Sequence, residues 1–296
     1  MNGDIRISKN DKFNKNFTEI ISAYFEKQIS PQKFKEINFA YLFNLPEIIE
    51  RNNELRIRIN EDIEKFKWES VFIKNIEERK NKVISKLKEE GYNIEIFSLN
   101  TSWRLIIGLG ASHPQETSMT LHHIYGLPYI PGSAVKGVTR HWAVVKFSEK
   151  NKKNNEKFED SIKRIAGALE NGNDLSIEVD GINFKNLIDI FGKQDKQGKV
   201  IFFDAYPIGN INLKIDVMNP HYPKYYSEGK PPTDWQNPVP IKFLTIENTK
   251  FQFYLAAKDK DLLTQSKSLL LEALEYYGIG AKTSLGYGMF INEDKL

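Results

Sequence analysis

The most regular pattern in the chain is an apolar stripe near its C-terminal end. Between Asp259 and Tyr277, apolar side chains recur three and four positions apart, which is the spacing of one face of an α-helix. The stripe consists of Leu262, Leu263, Ser266, Leu269, Leu270, Ala273 and Leu274. Gly278 follows directly and predicts the end of the helix. Such a helix needs another layer of structure against which to bury its apolar face.

Runs that are typical of β-strands lie on both sides of this helix. The predicted strands are Ile94 to Leu99, Trp103 to Leu109, Val200 to Asp204, Asn212 to Val217, Ile241 to Ile246, Phe251 to Ala257 and Tyr287 to Ile291. We expect the two strands on either side of Glu247 to Lys250 to form a hairpin. A further helix is predicted over Ala134 to Phe147, beginning at Ser133 as N-cap. Its apolar face would carry Val135, Val138, Trp142 and Val145.

From Trp103 onward, the order of elements is strand, helix, strands, helix, strand. Without insertions this is the β-α-β-β-α-β order, which predicts an α+β fold of the ferredoxin-like (RRM-like) class over residues 94–296. A sheet of this kind with helices packed on it is a common RNA-binding platform. Many enzymes share the fold, so the order alone does not decide the function.

The first 93 residues are predicted to form a mostly helical region. Helical spacing occurs from Phe17 to Phe25, after Pro31, and from about Asn60 to Glu90, where Gly91 ends the pattern. Three further segments connect the elements of the core. They are an exposed Lys/Asn-rich loop with the composition of a disordered segment at Lys150 to Lys157, a short helix at Ser161 to Leu169, and a long Pro- and Tyr-rich loop at Asn219 to Pro240.

Composition excludes several classes of protein. The absence of cysteine excludes disulfides, Cys-ligated zinc, iron–sulfur clusters and thiol catalysis. No apolar run reaches the roughly 18 residues of a membrane span, and the polar N-terminus is not a secretory signal. We therefore expect a cytoplasmic protein without a membrane partner. The net charge of +3 says little about nucleic acid.

The strongest local signal is the glycine-rich segment Gly278-Ile-Gly-Ala-Lys-Thr-Ser-Leu-Gly-Tyr-Gly288. Glycine lets a partner approach the backbone closely, and the amide groups of such a loop can form an anion-binding concavity. Lys282, Thr283 and Ser284 add a positive charge and two hydroxyl donors, which suits a phosphate backbone. A nucleotide P-loop and a dinucleotide fingerprint both require a strand before the glycines and a helix after them, which is the reverse of the order here. A plain helix-to-strand turn remains an alternative.

A second candidate segment runs from Gly126 to Arg140 and contains Ile130-Pro-Gly-Ser-Ala-Val-Lys136. Lys136 and Arg140 are four residues apart and therefore share a helix face. Ser133 and the first amide groups of the helix lie beside them in the sequence, which is an arrangement that binds anions. The alternative is an amphipathic helix with solvated cations.

The sequences PYIPGSAVKGVTR and GIGAKTSLGYG, in this order, resemble the RAMP superfamily of CRISPR-associated RNA-binding proteins. Within it, Leu109-Gly110, His113, Pro114, Glu116 and Thr117, followed by YGLPYIPGSAVKG, resemble the sixth-subunit family of the Cmr (type III-B) effector complexes. Val200 to Pro207 also fits RAMP proteins, at the second core strand. The resemblance covers about Ser98 to Ile291.

The resemblance implies a non-catalytic subunit that holds guide RNA by its backbone near the 3′ end, in antiviral defence, without a cofactor or a bound metal. Its expected partners are the guide (CRISPR) RNA, other Cmr subunits and, as a further candidate, target RNA. The predicted RNA-binding residues are His113, Ser133, Lys136, Arg140, Gly278, Gly280, Ala281, Lys282, Thr283, Ser284, Gly286, Tyr287 and Gly288.

Two alternatives follow from other residues. Some relatives of the superfamily cut guide RNA with a histidine, so His113, His122 or His123 would be the general acid or base of a metal-independent endoribonuclease. The three histidines lack the spacing of a metal-binding helix or a nearby carboxylate that would complete a hydrolase. A further alternative is a mainly structural subunit whose glycine-rich segment binds another subunit instead of RNA. Tyr222, Tyr225, Tyr226 and Trp235 are candidates for base stacking or for a subunit interface. His141 is expected to be partly buried in helix packing.

Overall fold

The computed structural model describes residues 39–44, 47–51, 54–58, 61–111, 113, 117–219, 228–229, 231 and 240–291. The helix predicted at residues 17–25 and the first part of the helix predicted after Pro31 lie outside this range, as do the four aromatic residues of the loop at 219–240. Residues 39–44 of the segment after Pro31 are helical. The chain divides into two compact units. One comprises Met1–Glu69, Gly108–Pro128 and Asn212–Ile246, and the other comprises Ser70–Ile107, Tyr129–Ile211 and Glu247–Leu296.

The described elements are a mixture of helices and antiparallel sheets, so the predicted α+β class is confirmed. In chain order the helices are α1 (Phe39–Asn44), α2 (Ser70–Glu89), α3 (Gly132–Lys150), α4 (Phe158–Asn171), α5 (Phe184–Phe191) and α6 (Lys260–Glu272). Short 3-10 turns span Glu61–Lys65 and Thr283–Leu285, and a π-helical turn spans Ala273–Tyr277.

The strands are β1 (Glu47–Arg51), β2 (Glu54–Arg58), β3 (Asn93–Thr101), β4 (Arg104–Leu105), β5 (Glu178–Val179), β6 (Ile182–Asn183), β7 (Gly192–Lys193), β8 (Lys196–Gln197), β9 (Val200–Phe202), β10 (Tyr206–Ile208), β11 (Asn212–Met218), β12 (Ile241–Glu247), β13 (Lys250–Ala257) and β14 (Phe290–Ile291). The antiparallel pair β1–β2 adds strands to the N-terminal region that we predicted to be mostly helical. The long helix predicted from Asn60 is shorter than expected, since α2 begins only at Ser70; it ends before Gly91 as predicted.

The first unit has an aromatic cluster at its core. Phe39 and Phe43 are almost fully buried, and the Phe39 ring lies 5.0 Å from that of Phe66 and 4.7 Å from that of Trp68. The indole nitrogen of Trp68 donates to the carbonyl oxygen of Gly126 at 3.2 Å, which gives its half-buried polar end a partner. In the same unit β11 pairs with β12.

The second unit is built on one sheet in which β13 is the central strand. The strand order is β14, β3, β13, and then β10 and β9, which pair with opposite ends of β13. The strands of this sheet pair antiparallel. Along the chain, the first strand of this sheet is β3. Our predicted order of elements began at Trp103, which lies after β3.

The predicted hairpin between β12 and β13 is wrong, because the two strands belong to different sheets. The connection between β12 and β13 is short enough for a hairpin, but Thr249 in this connection forms hydrogen bonds with β3 instead. The amide of Thr249 donates to the hydroxyl of Thr101, and the amide of Thr101 donates to the carbonyl of Thr249, both at 3.1 Å. These bonds direct β13 into the pairing with β3.

Helix α6 forms as its stripe predicts, and all seven stripe residues are buried. Its N-cap is Asp259, whose side chain accepts hydrogen bonds from the amides of Asp261 and Leu262. The buried face of α3 differs from the prediction, because it carries Thr139 and Ser148 instead of Val138 and Val145. Their hydroxyls donate to carbonyl groups one turn earlier in the same helix, so they can be buried at little cost.

Hydrogen bonds hold the segment at Lys150 to Lys157 in place, although its composition is typical of a disordered loop. The Arg164 guanidinium of α4 donates to the Glu156 carboxylate at 2.9 Å and to the carbonyl oxygen of Asn151 at 2.9 Å. Arg164 holds the pKa of the Glu156 carboxyl down at about 2. Helix α4 itself is five residues longer than the helix predicted at Ser161 to Leu169.

The two faces of the main sheet are covered by different helices. Successive residues of a strand point to opposite faces. Phe253 of β13 stacks on Phe97 of β3, and Lys267 of α6 lies over the Phe97 ring. The next residue of β13, Tyr254, has the Lys80 ammonium of α2 only 3.7 Å from its ring centroid. Helix α2 therefore covers the face opposite to α6.

Lys80 has an unusual environment for a lysine. Its ammonium donates to the carbonyl oxygen of Asp204 at 3.2 Å and lies over the rings of Tyr254 and Tyr206. Burial lowers the pKa of Lys80 to about 7, although the nearby Asp204 carboxylate acts in the opposite direction. Above that pH the folded protein holds a neutral lysine, whereas the unfolded chain remains protonated up to the ordinary value of 10.5.

This proton difference predicts that Lys80 makes the stability rise with pH. Between pH 7 and 10.5 the unfolded state binds the extra proton, so the residue contributes a slope of up to about 1.4 kcal/mol per pH unit. Lys80→Met should flatten the profile of unfolding free energy against pH in this window, as measured by urea unfolding. Lys82→Met, an exposed position on the same helix, is the control. Equal slopes in both variants and the parent would contradict the prediction.

Candidate nucleic-acid interface

The N-terminus of helix α3 is held by the sheet and not by its own side chains. The helix begins at Gly132 after Pro131, and Ser133 is an exposed residue of the first turn. The prediction of Ser133 as N-cap is therefore wrong. Instead, the amide of Gly132 donates to the Asp204 carboxylate at 2.7 Å, just beyond the end of β9. The protein's own carboxylate thus occupies part of the anion position that we expected a phosphate to take.

The exposed face of α3 carries the predicted cations. Ser133, Gly137 and His141 are exposed, and Lys136 and Arg140 lie half-buried beside them. The pKa of Lys136 is lowered by burial and, secondarily, by the charge of Arg140, so the two cations lie close together. Within the described residues, neither makes an ion pair or a hydrogen bond. Two cations without an acidic partner on one helix face attract an anion.

The glycines of the Gly278–Gly288 segment mostly serve the loop's own packing. A Cβ on Gly288 would lie 1.9 Å from the carbonyl oxygen of Ile279, and a Cβ on Gly280 would lie 2.3 Å from that of Ile106. A Cβ on Gly278 would be less crowded, at 2.9 Å from the Met289 sulfur and 3.0 Å from the carbonyl oxygen of Tyr287, but Gly278 also has a positive φ of 77°. Gly286 alone of the four would meet nothing within 4 Å. We predicted close approach of phosphate as the reason for these glycines, and three of them have an internal reason instead.

Most of the loop's amides are also used internally. The amides that donate to carbonyl groups of the chain are those of Gly278, Ile279, Ala281, Leu285, Gly286 and Gly288. Within the described part of the chain, the amides of Gly280, Thr283 and Ser284 have no hydrogen-bond acceptor. Lys282 adopts a left-handed backbone with φ of 60°, which turns the chain at the tip. The tip at residues 282–286, where Ser284 and Leu285 are exposed and the others are half-buried, is therefore the part of the loop open to an anion, while Tyr287 is buried.

The two predicted segments meet in the structure. The ring of His141 on α3 lies 4.7 Å from the ring of Tyr277, which immediately precedes the glycine-rich loop. Trp142 stacks on Tyr276 with 5.9 Å between ring centroids, and its indole nitrogen donates to the Glu272 carboxylate. His141 is exposed, so its predicted partial burial is wrong. The cations of α3 and the start of the loop thus belong to one surface of the second unit.

The loop histidines lie in the first unit. The ring of His113 stacks on Phe43 at 4.6 Å, and burial lowers its pKa. His122 and His123 stack on each other, and Nδ1 of His122 accepts from the amides of Ile124 and Tyr125. This bonding gives His122 a structural role in its turn. In the portion of the chain that the structure describes, no group of histidine and acidic side chains could hold a metal ion.

Sequence reasoning missed three features of the second unit: the capping role of Asp204, the half-buried Lys80 on the opposite sheet face and the exposed pair Tyr276–Tyr277. For Asp204 a signal existed, since an acidic residue follows a short buried strand. For the tyrosines, the stripe of α6 predicts Tyr277 on the buried face.

None of the helices in the described ranges has the length and apolar character that a membrane crossing needs.

Comparison with known proteins identifies relatives over this region. The description of the matching family is RAMP superfamily, and the match covers residues 97–291. The CRISPR system Cmr subunit Cmr6 of Pyrococcus furiosus is 38% identical over 225 residues, which cover 64% of this chain and 66% of that protein. Cmr6 of Saccharolobus solfataricus is 26% identical over 234 residues, which cover 76% and 66%. The chain thus spans about two thirds of the length of the curated relatives it matches.

Solved structures are also similar. The crystal structure of Cmr6 from Pyrococcus furiosus matches with a TM-score of 0.49 and 36% identity, covering 68% of this chain and 98% of that chain. A chain in the cryo-EM structure of the type III-B Cmr-beta bound to cognate target RNA matches with a TM-score of 0.54 and 24% identity, covering 93% and 85%. The second match shows a shared fold. Since the family match includes both candidate segments and well over half of the residues, the chain belongs to the RAMP superfamily.

Proposed function

We propose that this chain is the counterpart of Cmr6 and is a non-catalytic subunit of a type III-B CRISPR (Cmr) effector in antiviral defence. It would hold the guide RNA by its backbone near the 3′ end, together with other Cmr subunits and with target RNA as a further partner. The similarity to proteins named as Cmr6 supports the proposal, as does the shared fold with a chain of an RNA-bound Cmr complex.

The observation that carries the proposal is the pair of cations on α3. Lys136 and Arg140 lie together on an exposed face, and the described part of the chain supplies no acid to neutralise them. RNA presents a row of phosphates, which binds such a pair without regard to base sequence. We propose that these two residues, with Ser133 and the loop tip of Lys282, Thr283, Ser284 and Gly286, contact the backbone. Gly278, Gly280, Ala281, Tyr287 and Gly288 would set the shape of the loop.

His113 has a narrower role in this proposal. Burial lowers its pKa below the ordinary value of 6.5, so its ring is neutral at pH 7. It would bind RNA by a hydrogen bond and not by charge.

We further infer that the RNA-binding domain spans residues 94–296 and has a ferredoxin-like core, to which the first 93 residues are attached as an N-terminal region whose helix α2 packs on the sheet. The chain order of β3, α3, the β9–β10 segment, β13, α6 and β14, with other elements inserted between them, supports the β-α-β-β-α-β plan. Helix α6 packs on one face of the sheet and contacts α3, since Lys146 pairs with Glu272 at 2.9 Å. These features support the assignment, and the family match begins near its first strand.

Replacing both cations by neutral residues should weaken RNA binding. Lys136→Gln with Arg140→Gln removes two charge-assisted phosphate contacts, so we expect a loss of about ten-fold or more at low salt for any guide sequence. The slope of log affinity against log salt should fall by about 1.4, because each phosphate contact with a single strand contributes about 0.7. Filter binding of single-stranded guide RNA across a salt series measures both quantities.

The matched control is Lys152→Gln with Lys163→Gln, which removes the same net charge at two exposed positions. This control should keep the affinity within about two-fold, since distant exposed charges are screened. Equal losses in the two double variants would mean that only net charge matters, and the site on α3 would be wrong.

Gly137 provides a second test of the same surface. It lies inside α3 and a Cβ there would meet nothing within 4 Å, so no packing explains a residue that disfavours helix. Gly137→Ala should stabilise the fold by about 0.5–1 kcal/mol and weaken RNA binding, because the added methyl group lies where the backbone approaches. Gly167→Ala in α4, which is equally open, should stabilise without changing affinity. Unchanged binding in Gly137→Ala would exclude close approach at this position.

The absence of catalysis is tested by incubating the purified chain with labelled repeat RNA in EDTA. We expect no discrete products over hours, since the bonding of His122 and the stacking of His113 on Phe43 give both rings packing roles. Cleavage that disappears in His113→Ala or His123→Ala would instead establish a metal-independent endoribonuclease.

A further inference from the structure

Four aromatic rings, three of them exposed, form a cluster beside the cations of α3. This aromatic patch consists of His141, Trp142, Tyr276 and Tyr277, in two contacting pairs. Tyr276 is 61% exposed and Tyr277 is 39% exposed, and His141 is also exposed. Exposed aromatic side chains that lie together mark a binding surface more often than single ones do.

The patch exists because the chain leaves the α-helical path after α6. Continued as an α-helix, the stripe that contains Leu270, Ala273 and Leu274 would place Tyr277 on the same buried face. The π-helical turn Ala273–Tyr277 widens the helix at this point, and Ala273 and Leu274 stay buried while Tyr276 and Tyr277 face outward. Single π-helical turns inside helices are frequently found at functional sites.

The charges around the patch suit an anionic polymer. Arg140 precedes His141 directly, and Lys136 lies five residues before it, about 7.5 Å along the helix axis. Glu272 is neutralised, since its carboxylate accepts from Lys146 and from the indole of Trp142, both at 2.9 Å. Glu275 is the last acidic residue before the two tyrosines. From Tyr276 to Ile291 the only charged residue is Lys282.

We propose that the aromatic patch is a base-stacking subsite for single-stranded RNA, with Tyr276 and Tyr277 as its platform. The inference rests on the proposed function, because the same strand would be held by Lys136 and Arg140. Planar rings next to phosphate-binding cations are the arrangement by which proteins bind single strands, whose bases are free to stack on side chains. Stacking accepts every base, so the subsite adds affinity without sequence preference.

The test compares tyrosine variants of the full chain for binding to a single-stranded guide RNA. Tyr276→Ala and Tyr277→Ala should each weaken binding by about 5- to 100-fold, the effect of removing one stacked base. Tyr276→Phe and Tyr277→Phe should bind like the parent, because the ring is retained. The salt slope should not change in any of the four, since no phosphate contact is removed. Tyr92→Ala, a tyrosine of the same unit outside the patch, is the control.

RNAs in which one nucleotide at a time is abasic give an independent readout. One abasic position should weaken binding to the parent chain and leave the affinity of the Tyr→Ala variants unchanged, because the stacking partner is already missing. Unfolding curves of each variant establish that the fold is kept, which is expected for side chains on the surface.

Failure of this inference differs from failure of the proposed function. If the tyrosine variants bind RNA like the parent while Lys136→Gln/Arg140→Gln loses affinity, the base-stacking subsite is wrong and the phosphate site stands. If the tyrosine variants instead lose co-purifying Cmr subunits, the patch is a protein interface, which also overturns the inference. If neither set changes RNA affinity, both proposals are wrong.

Discussion

The contact between Asp204 and the first amide of α3 determines how the candidate surface is presented. The Asp204 carboxylate accepts from the Gly132 amide at 2.7 Å. Next to this contact, the backbone groups of Ile130 and Ala205 form two mutual hydrogen bonds, both at 2.9 Å. The approach is so close that a Cβ on Gly132 would lie 2.4 Å from the carbonyl oxygen of Phe202. The helix is thereby anchored at the end of β9, and its orientation places Ser133, Gly137 and His141 on the outside.

A second close contact shapes the glycine-rich loop. Because Gly280 and Gly288 pack against the backbone at Ile106 and Ile279, the two ends of the loop are held together and residues 282–286 form a tip that is exposed at Ser284 and Leu285. The glycines thus act mainly through the protein's own packing, and the proposed RNA contacts fall to the tip and the neighbouring side chains. This division explains how a loop of small residues can be rigid and still present free amides.

Local charge pairing explains why the overall balance of +3 is uninformative. Acidic residues of the second unit are used by particular cations, as Glu272 is by Lys146 and Glu156 is by Arg164. In the described residues, Lys136 and Arg140 are left without such a partner. A phosphate backbone can therefore compete for them without breaking an internal ion pair, and the adjacent aromatic patch offers the bases a second kind of contact.

The sequence by itself determined the features that depend on neighbours along the chain. These include the apolar stripe of α6, the ends of helices at Gly91 and Gly278, the shared helix face of Lys136 and Arg140, and the family to which the two motifs belong. Only the tertiary structure decided which strand pairs with which, so β12 and β13 separate although their short connection favours a hairpin. It also decided that Asp204, and not Ser133, caps α3, and that the π-helical turn brings Tyr276 and Tyr277 outward. Each of these depends on hydrogen bonds and packing between residues far apart in the chain, which local periodicity does not encode.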